Sequence, residues 1–205
     1  MTATAVRRLW LVRHGETEGQ SSIRFHGAND VPLSDLGRAQ IRALLPLLAG
    51  VEFVRVVHSP LRRAAESARI LAAACGVGPD RLHGEARLRE ISFGACEGMT
   101  ESEIADAHPT FWRRYRAGEI DTFPDGEPRQ AFAERVQTAM HEIAAADWRG
   151  DLLVVAHRGT VRQALRGLLR VPAGTKDDFG VELASVTTLR EHGAAWQVEA
   201  LGLRP

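Results

Sequence analysis

Two histidines stand where α/β proteins present reactive side chains. The apolar run Leu9-Trp10-Leu11-Val12 ends abruptly in Arg13-His14-Gly15-Glu16-Thr17, and Leu152-Leu153-Val154-Val155-Ala156 ends in His157-Arg158-Gly159-Thr160. Such runs fit buried strands of a parallel sheet, whose carboxyl edge is where catalytic groups of α/β enzymes sit. Parallel pairing of the two strands would set the imidazoles side by side, the first of them on a nucleophile loop. Arginine completes the picture, because its planar fork binds two oxygens of an anion at once and stays charged. The chain holds a single lysine, Lys176, among 26 basic residues. Arginine by itself therefore means little, and placement decides: Arg13 ends a strand and Arg63 opens a helix.

The elements that must hold these groups follow from periodicity. After the first strand, residues 18–30 are polar and glycine-bearing, which predicts a loop beside a ligand. Ser34 reads as a helix N-cap with Ile41, Leu44, Leu45 and Leu48 on one face, Pro46 as a kink and Gly50 as the stop. Phe53 to Val57 is a second buried strand, and Ser59-Pro60 reads as N-cap and first helical position of a helix carrying Ala64, Ala68, Leu71, Ala72 and Cys75. Arg81 to Glu90 is expected as a short strand leading into a loop at Gly94 and Gly98. Residues 100–126 are the least regular part, with a short helix from Thr100 to Ala107, and are expected to act as a lid. A long helix with Phe132, Val136, Ala139, Met140 and Ile143 inward comes next, then the strand at Leu152 and a helix from Val161 to Leu169. A final strand pair, Ser185 to Arg190 and Trp196 to Leu201, turns at Glu191-His192-Gly193. Strands alternating with helices predict a three-layer α/β/α sandwich around a mostly parallel sheet.

At 205 residues, 44% hydrophobic and 25% charged, the chain has room for one substantial core, so a single domain over 1–205 is expected. Equal numbers of basic and acidic residues, 26 each, give no global field for nucleic acid or an anionic membrane. Cys75 and Cys96 form no metal-type or disulfide pattern, the first residues leave no room for a signal peptide, and no long apolar segment occurs, which together point to the cytoplasm. Eight histidines raise the question of metal, yet no His-x-x-x-His spacing with a nearby carboxylate recurs, so neither metal nor cofactor is expected.

Further stretches join the two histidine motifs in order: Val31-Pro32-Leu33-Ser34-Asp35-Leu36-Gly37-Arg38-Ala39-Gln40, Ser59-Pro60-Leu61-Arg62-Arg63-Ala64, Leu88-Arg89-Glu90-Ile91-Ser92-Phe93-Gly94, Glu97-Gly98 and Gly126-Glu127. From Leu9 to about Thr188, the chain resembles the histidine phosphatase superfamily, also called the phosphoglycerate mutase-like family. The resemblance implies phosphoryl transfer through a phosphohistidine on His14, with Arg13, Arg63 and His157 supplying donors to the phosphoryl oxygens. It also implies Glu90 as general acid and then base, since phosphatase-like members carry their acid in the Leu-x-Glu match formed here by Leu88, Arg89 and Glu90. Arg62 is expected to face solvent, His58 to have no role, and Glu97 to be structural. Glu16 is expected to orient an active-site arginine or histidine.

Three departures from the family pattern bear on the substrate. Gln20 stands where an asparagine usually closes the first phosphate loop, His26 precedes Gly27 where glutamine or threonine is common, and Arg158 follows the second histidine where a small or apolar residue is usual. Gln20, His26, Gly27 and Arg158 are thus candidate phosphate- or substrate-binding positions. For Arg158 two roles are open, a second anion of the substrate or a surface carboxylate in the 100–125 region, with the second favoured because adjacent strand-end residues point to opposite sides. The expected activity is metal-independent hydrolysis of a small phosphorylated metabolite by a monomer or homodimer. A bisphosphoglycerate-dependent phosphoglycerate mutase and a weakly active phospho-ligand-binding member are the alternatives.

Overall fold

The computed structural model describes residues 6–172, 174–176 and 179–205. Residues 1–5, the greater part of the segment read as too short for a signal peptide, lie outside the described residues. Strand β1 (Arg8–Arg13) lies between β6 (Asp151–Ala156), to which it is parallel, and β7 (Val186–His192), to which it is antiparallel. Beyond β6 come β3 (Phe53–His58) and β4 (Leu82–Gly84), both parallel, and beyond β7 comes the antiparallel β8 (Ala195–Leu203). The central sheet therefore runs β4-β3-β6-β1-β7-β8 and is mostly parallel. A separate small ribbon pairs β2 (Arg24–Phe25) with β5 (Met99–Thr100).

Alternation along the buried strands divides the apolar side chains between two cores. Leu9, Leu11, Leu152 and Val154 face α5 (Arg129–Ala145) and α6 (Arg158–Leu168), whereas Val12, Leu153 and Val155 face α1 (Asp35–Ala43) and α2 (Arg62–Ala74). Helices on both faces make the expected three layers. A third cluster joins Cys96, Ile104 and Phe123 with Phe25, Phe93 and Phe111, binding α3 (Glu101–Ala107) and α4 (Pro109–Arg116) over the carboxyl edge of the sheet. Thr100 caps α3 in a reciprocal box with Glu103, which fixes how the 100–126 segment leaves the small ribbon.

Several element ends differ from expectation. The first helix stops at Ala43, and Leu45–Leu48 tightens into a 3₁₀ turn, because Pro46 cannot donate to the helix. Ser59 is not an N-cap: Leu61 holds that position with φ −61° and ψ 134°, and α2 begins at Arg62. Only Leu82–Gly84 of the 81–90 stretch is strand, after which Ala86–Leu88 forms a 3₁₀ turn capped by Glu85. Helix α6 begins at Arg158, three residues earlier than the apolar pattern indicated, so His157 is itself its N-cap residue. In the closing hairpin His192 pairs with Ala195, which confines the turn to Gly193 and Ala194.

Candidate active site

Register places the two histidines together. Arg13 on β1 pairs with Ala156 on β6, so the next residues, His14 and His157, leave the sheet at the same level, their rings edge-to-face with centroids 5.1 Å apart. The imidazole of His14 is oriented from both ends. Its Nδ1–H donates to the Gly15 carbonyl at 2.7 Å, so Nε2 is the unprotonated nitrogen, and its single lone pair accepts the Arg63 Nε–H at 3.3 Å. Complete burial, followed by the charges of Arg63 and Arg13, holds the His14 pKa well below the ordinary imidazole value of 6.5, so the ring is neutral.

Arg63, only 2% exposed, is itself clamped. Its Nη1 and Nη2 donate to the carbonyls of Asn29 and Gly27, each at 2.7 Å. Gly27 takes φ +50°, and a Cβ there would come within 2.7 Å of the Ile91 carbonyl oxygen, so only glycine lets this turn offer its carbonyl to Arg63. Three of the five guanidinium N–H groups are thereby used and two remain for a ligand. The neighbouring Arg62 is exposed, as expected of adjacent helical positions. Arg13 donates Nη1 to the Val181 carbonyl at 3.0 Å, while its buried Nε has no partner. Burial first, then the charge of Arg158, brings the Arg13 pKa down to about 10.

His157 is fully buried beside His14, with the ring centroids 5.1 Å apart. Its Nε2 meets Ser59 Oγ at 2.7 Å, and that oxygen already accepts the Leu61 N–H at 3.3 Å. A serine oxygen has two lone pairs, so Ser59 can donate to this ring nitrogen or accept from it, while the ring's other nitrogen, Nδ1, is buried without a partner. Burial, then the charges of Arg63, His14 and Arg13, holds the His157 pKa well below the ordinary imidazole value, which disfavours the charged state. Sequence reasoning missed Ser59 because it read that serine as a helix cap.

Glu90 lines the cavity. One carboxylate oxygen accepts its neighbour's amide, Ile91 N–H, at 3.0 Å, and the other accepts Gly159 N–H in the first turn of α6 at 2.9 Å. Its charge acts on both Arg13 and Arg63, which places it beside the arginine pair. The segment carrying it is tied down from α5: Arg135 pairs with Glu127 at 2.6 Å and donates to the carbonyls of Arg87, Arg89 and Glu90. Arg135 has no signal of its own in the sequence, although its partner Glu127 belongs to the Gly126-Glu127 match. Glu97 is structural, accepting the amides of Ala28 and Phe93 and the Ser92 hydroxyl.

The remaining candidates divide between the cavity and its surroundings. Among the described residues Glu16 hydrogen-bonds no arginine or histidine; it accepts Thr17 N–H and the Ser21 hydroxyl, 2.8 and 2.9 Å, and so shapes the loop after His14. Gln20 is exposed and does not line the cavity; with φ +57°, it turns the chain, and its carbonyl accepts the amides of Ile23 and Arg24. His26 lines the cavity and donates Nε2–H to the Gly19 carbonyl at 2.6 Å, leaving Nδ1 an unpartnered buried acceptor. Arg158 lines the cavity and, among the described residues, makes no salt bridge, contrary to the surface pairing favoured from the sequence. Strand alternation does not apply to it, because the chain has already turned into α6. His58 bonds the Ser59 carbonyl and lies outside the cavity.

These side chains surround a cavity of about 1210 Å³. Its lining combines arginines with the aromatic side chains of Phe25, Phe93, Phe123 and Tyr115. The last two come from the 100–126 segment. Among the described residues, no group of three or more histidine, cysteine or acidic side chains could hold a metal ion. No helix among them is long and apolar enough to cross a membrane.

Known proteins resemble the chain over most of its length. Glucosyl-3-phosphoglycerate phosphatase of Mycolicibacterium vanbaalenii is 34% identical over 174 residues, 82% of this chain and 76% of that protein. An Enterobacter protein named "Probable phosphoglycerate mutase GpmB" is 28% identical over 191 residues, 92% of this chain and 87% of its own. The solved structure of a mycobacterial glucosyl-3-phosphoglycerate phosphatase in complex with VO3 superposes with a TM-score of 0.82 at 28% identity, covering 96% of this chain and 98% of the other. The family model of the histidine phosphatase superfamily (branch 1) matches residues 9–204, and the chain belongs to that family.

Proposed function

We propose that the protein is a phosphomonoesterase that hydrolyses a small phosphorylated metabolite through a phosphohistidine on His14. The observation that carries this reading is the orientation of His14: Nδ1–H is committed to a carbonyl, Nε2 keeps its lone pair, and two arginines stand beside it. The Nε2 lone pair, released by Arg63 Nε–H as that donor turns to a phosphoryl oxygen, attacks phosphorus as the ester P–O bond breaks, and Glu90 gives its proton to the departing alkoxide. Glu90 then takes a proton from water, whose oxygen attacks phosphorus while the P–N bond breaks and phosphate leaves. Arg13, Arg63 and His157, donating from its unpartnered Nδ1, stabilise the charge on the three peripheral oxygens. Such a donor set needs no metal, so activity is expected to survive EDTA. Both phosphatase relatives named above act on a phosphorylated small molecule, which supports the same substrate class here.

Incubation with p-nitrophenyl phosphate followed by rapid quench should leave a phosphoryl group on the His14 peptide. The His14→Ala variant should lose both the adduct and turnover. Undiminished hydrolysis by that variant would sink the reading. The mutase-named relative gives a second reading some support, since a mutase shares the phosphohistidine but returns the phosphoryl group to substrate. A coupled assay with 3-phosphoglycerate and a trace of 2,3-bisphosphoglycerate separates them, and 2-phosphoglycerate should not accumulate.

A further inference from the structure

The outer part of the cavity carries more positive charge than one phosphoryl group requires. Beyond Arg13 and Arg63, the wall holds Arg158, Arg129, Arg162 and Lys176, whereas its only carboxylates among the described residues are Glu90 and Glu101. Arg158 and Arg162 are four apart at the start of α6, hence on one face, and Arg129 opens α5, which packs against α6. Like charges crowd in two places. Arg158 acts on Arg13 and Arg162 on Arg129, and in both cases this repulsion adds to burial in disfavouring the charged guanidinium. Neither Arg158 nor Arg129 makes a salt bridge among the described residues; Arg129 donates to the Tyr115 hydroxyl and lies over its ring. Arg24, at another part of the rim, is already neutralised by Glu103 at 2.7 Å. A cavity of about 1210 Å³ also leaves ample room beyond a phosphoryl group at His14. The amino end of α6 adds its own positive potential beneath Arg158.

We infer that Arg158 and Arg129, with Arg162 one turn along α6 from Arg158, form a second anion subsite in the cavity wall, so that the preferred substrates are phosphomonoesters bearing a distal carboxylate or phosphate. This deepens the phosphomonoesterase reading and rests on it only for the end of the ligand held at His14. An anion bound there offsets the repulsion of Arg13 by Arg158 and of Arg129 by Arg162, a gain that a neutral group of the same shape cannot supply.

The test measures binding to the His14→Ala protein, which cannot consume its ligands, by calorimetry. Linear phosphate monoesters of graded chain length, each ending in a carboxylate, are compared with the corresponding primary amides, and a parallel series ends in a second phosphate. At some chain length the anion should bind about tenfold or more tighter than its amide. Arg158→Gln and Arg129→Gln, added singly to the same background, should each shrink that advantage, and added salt should shrink it in the parent. Equal binding of anion and amide at every length, or an advantage that persists in the Arg158→Gln/Arg129→Gln protein, would overturn the subsite. The carboxylate and phosphate series show which anion it prefers. Failure of the wild-type protein to hydrolyse any of these esters or form a phosphohistidine would instead overturn the phosphatase reading, because the binding comparison does not depend on turnover.

Discussion

His14 owes its readiness to react to its neighbours. An imidazole in water is half protonated at pH 6.5, but burial and two arginines hold this one neutral well below that value. The acid limb of kcat/KM should therefore lie below the ordinary histidine range. In Arg63→Met one of the causes is removed, so the His14 pKa rises and the limb moves to higher pH, whereas Arg63→Lys keeps the charge and should hold it low. The pH dependence of kcat/KM for the three proteins checks this, because that parameter reports free-enzyme groups. An unmoved limb in Arg63→Met would mean that His14 is not the group titrating. Independently of pH, Arg63→Ala should cost about 10²-fold or more in kcat, and Arg62→Ala should cost little, since only Arg63 faces the cavity. Comparable losses in the two variants would refute the placement of α2.

Among the elements, the turn from β6 into α6 does the most positioning in the fewest residues. His157 is its N-cap residue, Arg158 points into the cavity, and Gly159 offers its amide to Glu90. A Cβ at Gly159 would lie 2.5 Å from Glu90 Oε1 and 3.2 Å from its carboxyl carbon, so Gly159→Ala must push the carboxylate aside. The expected result is a fall in kcat approaching that of Glu90→Gln, about 10²-fold, with a thermal midpoint close to wild type, since the atoms displaced belong to a partly exposed side chain. Retained kcat in Gly159→Ala would show that the Gly159–Glu90 contact is not needed for the chemistry. Much of this turn was legible in the sequence, because an apolar run ending in His-Arg-Gly can only be a strand delivering side chains to an edge. The direction of Arg158 was not, since it depends on the helix starting at once rather than at Val161, where the apolar pattern begins. Nor were the partners of His157 and Glu90 legible. Ser59 lies 98 residues from His157 and Glu90 lies 69 from Gly159, and no periodicity carries information over such separations.

At the scale of the whole molecule, the two cores on either side of the sheet account for why the layers could be read from alternation and helical spacing, and the buried histidines between them make the fold sensitive to acid. The expectation of three layers followed from apolar strands that must be covered on both faces, and the clusters around Leu9 and Val12 show both covers in place. His14 and His157, at the centre, are held neutral chiefly by burial, and His26 and His58 are lowered for the same first reason. Once unfolded, these rings protonate near 6.5, so below that pH the unfolded chain binds more protons than the folded one. Stability is then fully present above about pH 7 and is lost as pH falls through 6.5 toward the depressed folded-state values. Each histidine that stays neutral contributes up to about 1.4 kcal/mol of lost stability per pH unit in that window. Urea midpoints measured between pH 7.5 and 5 should fall accordingly, and His14→Asn/His157→Asn should flatten the slope whatever it does to the absolute stability. A slope unchanged by that double substitution would mean that the acid sensitivity arises elsewhere in the fold and that these two rings accept protons where they stand.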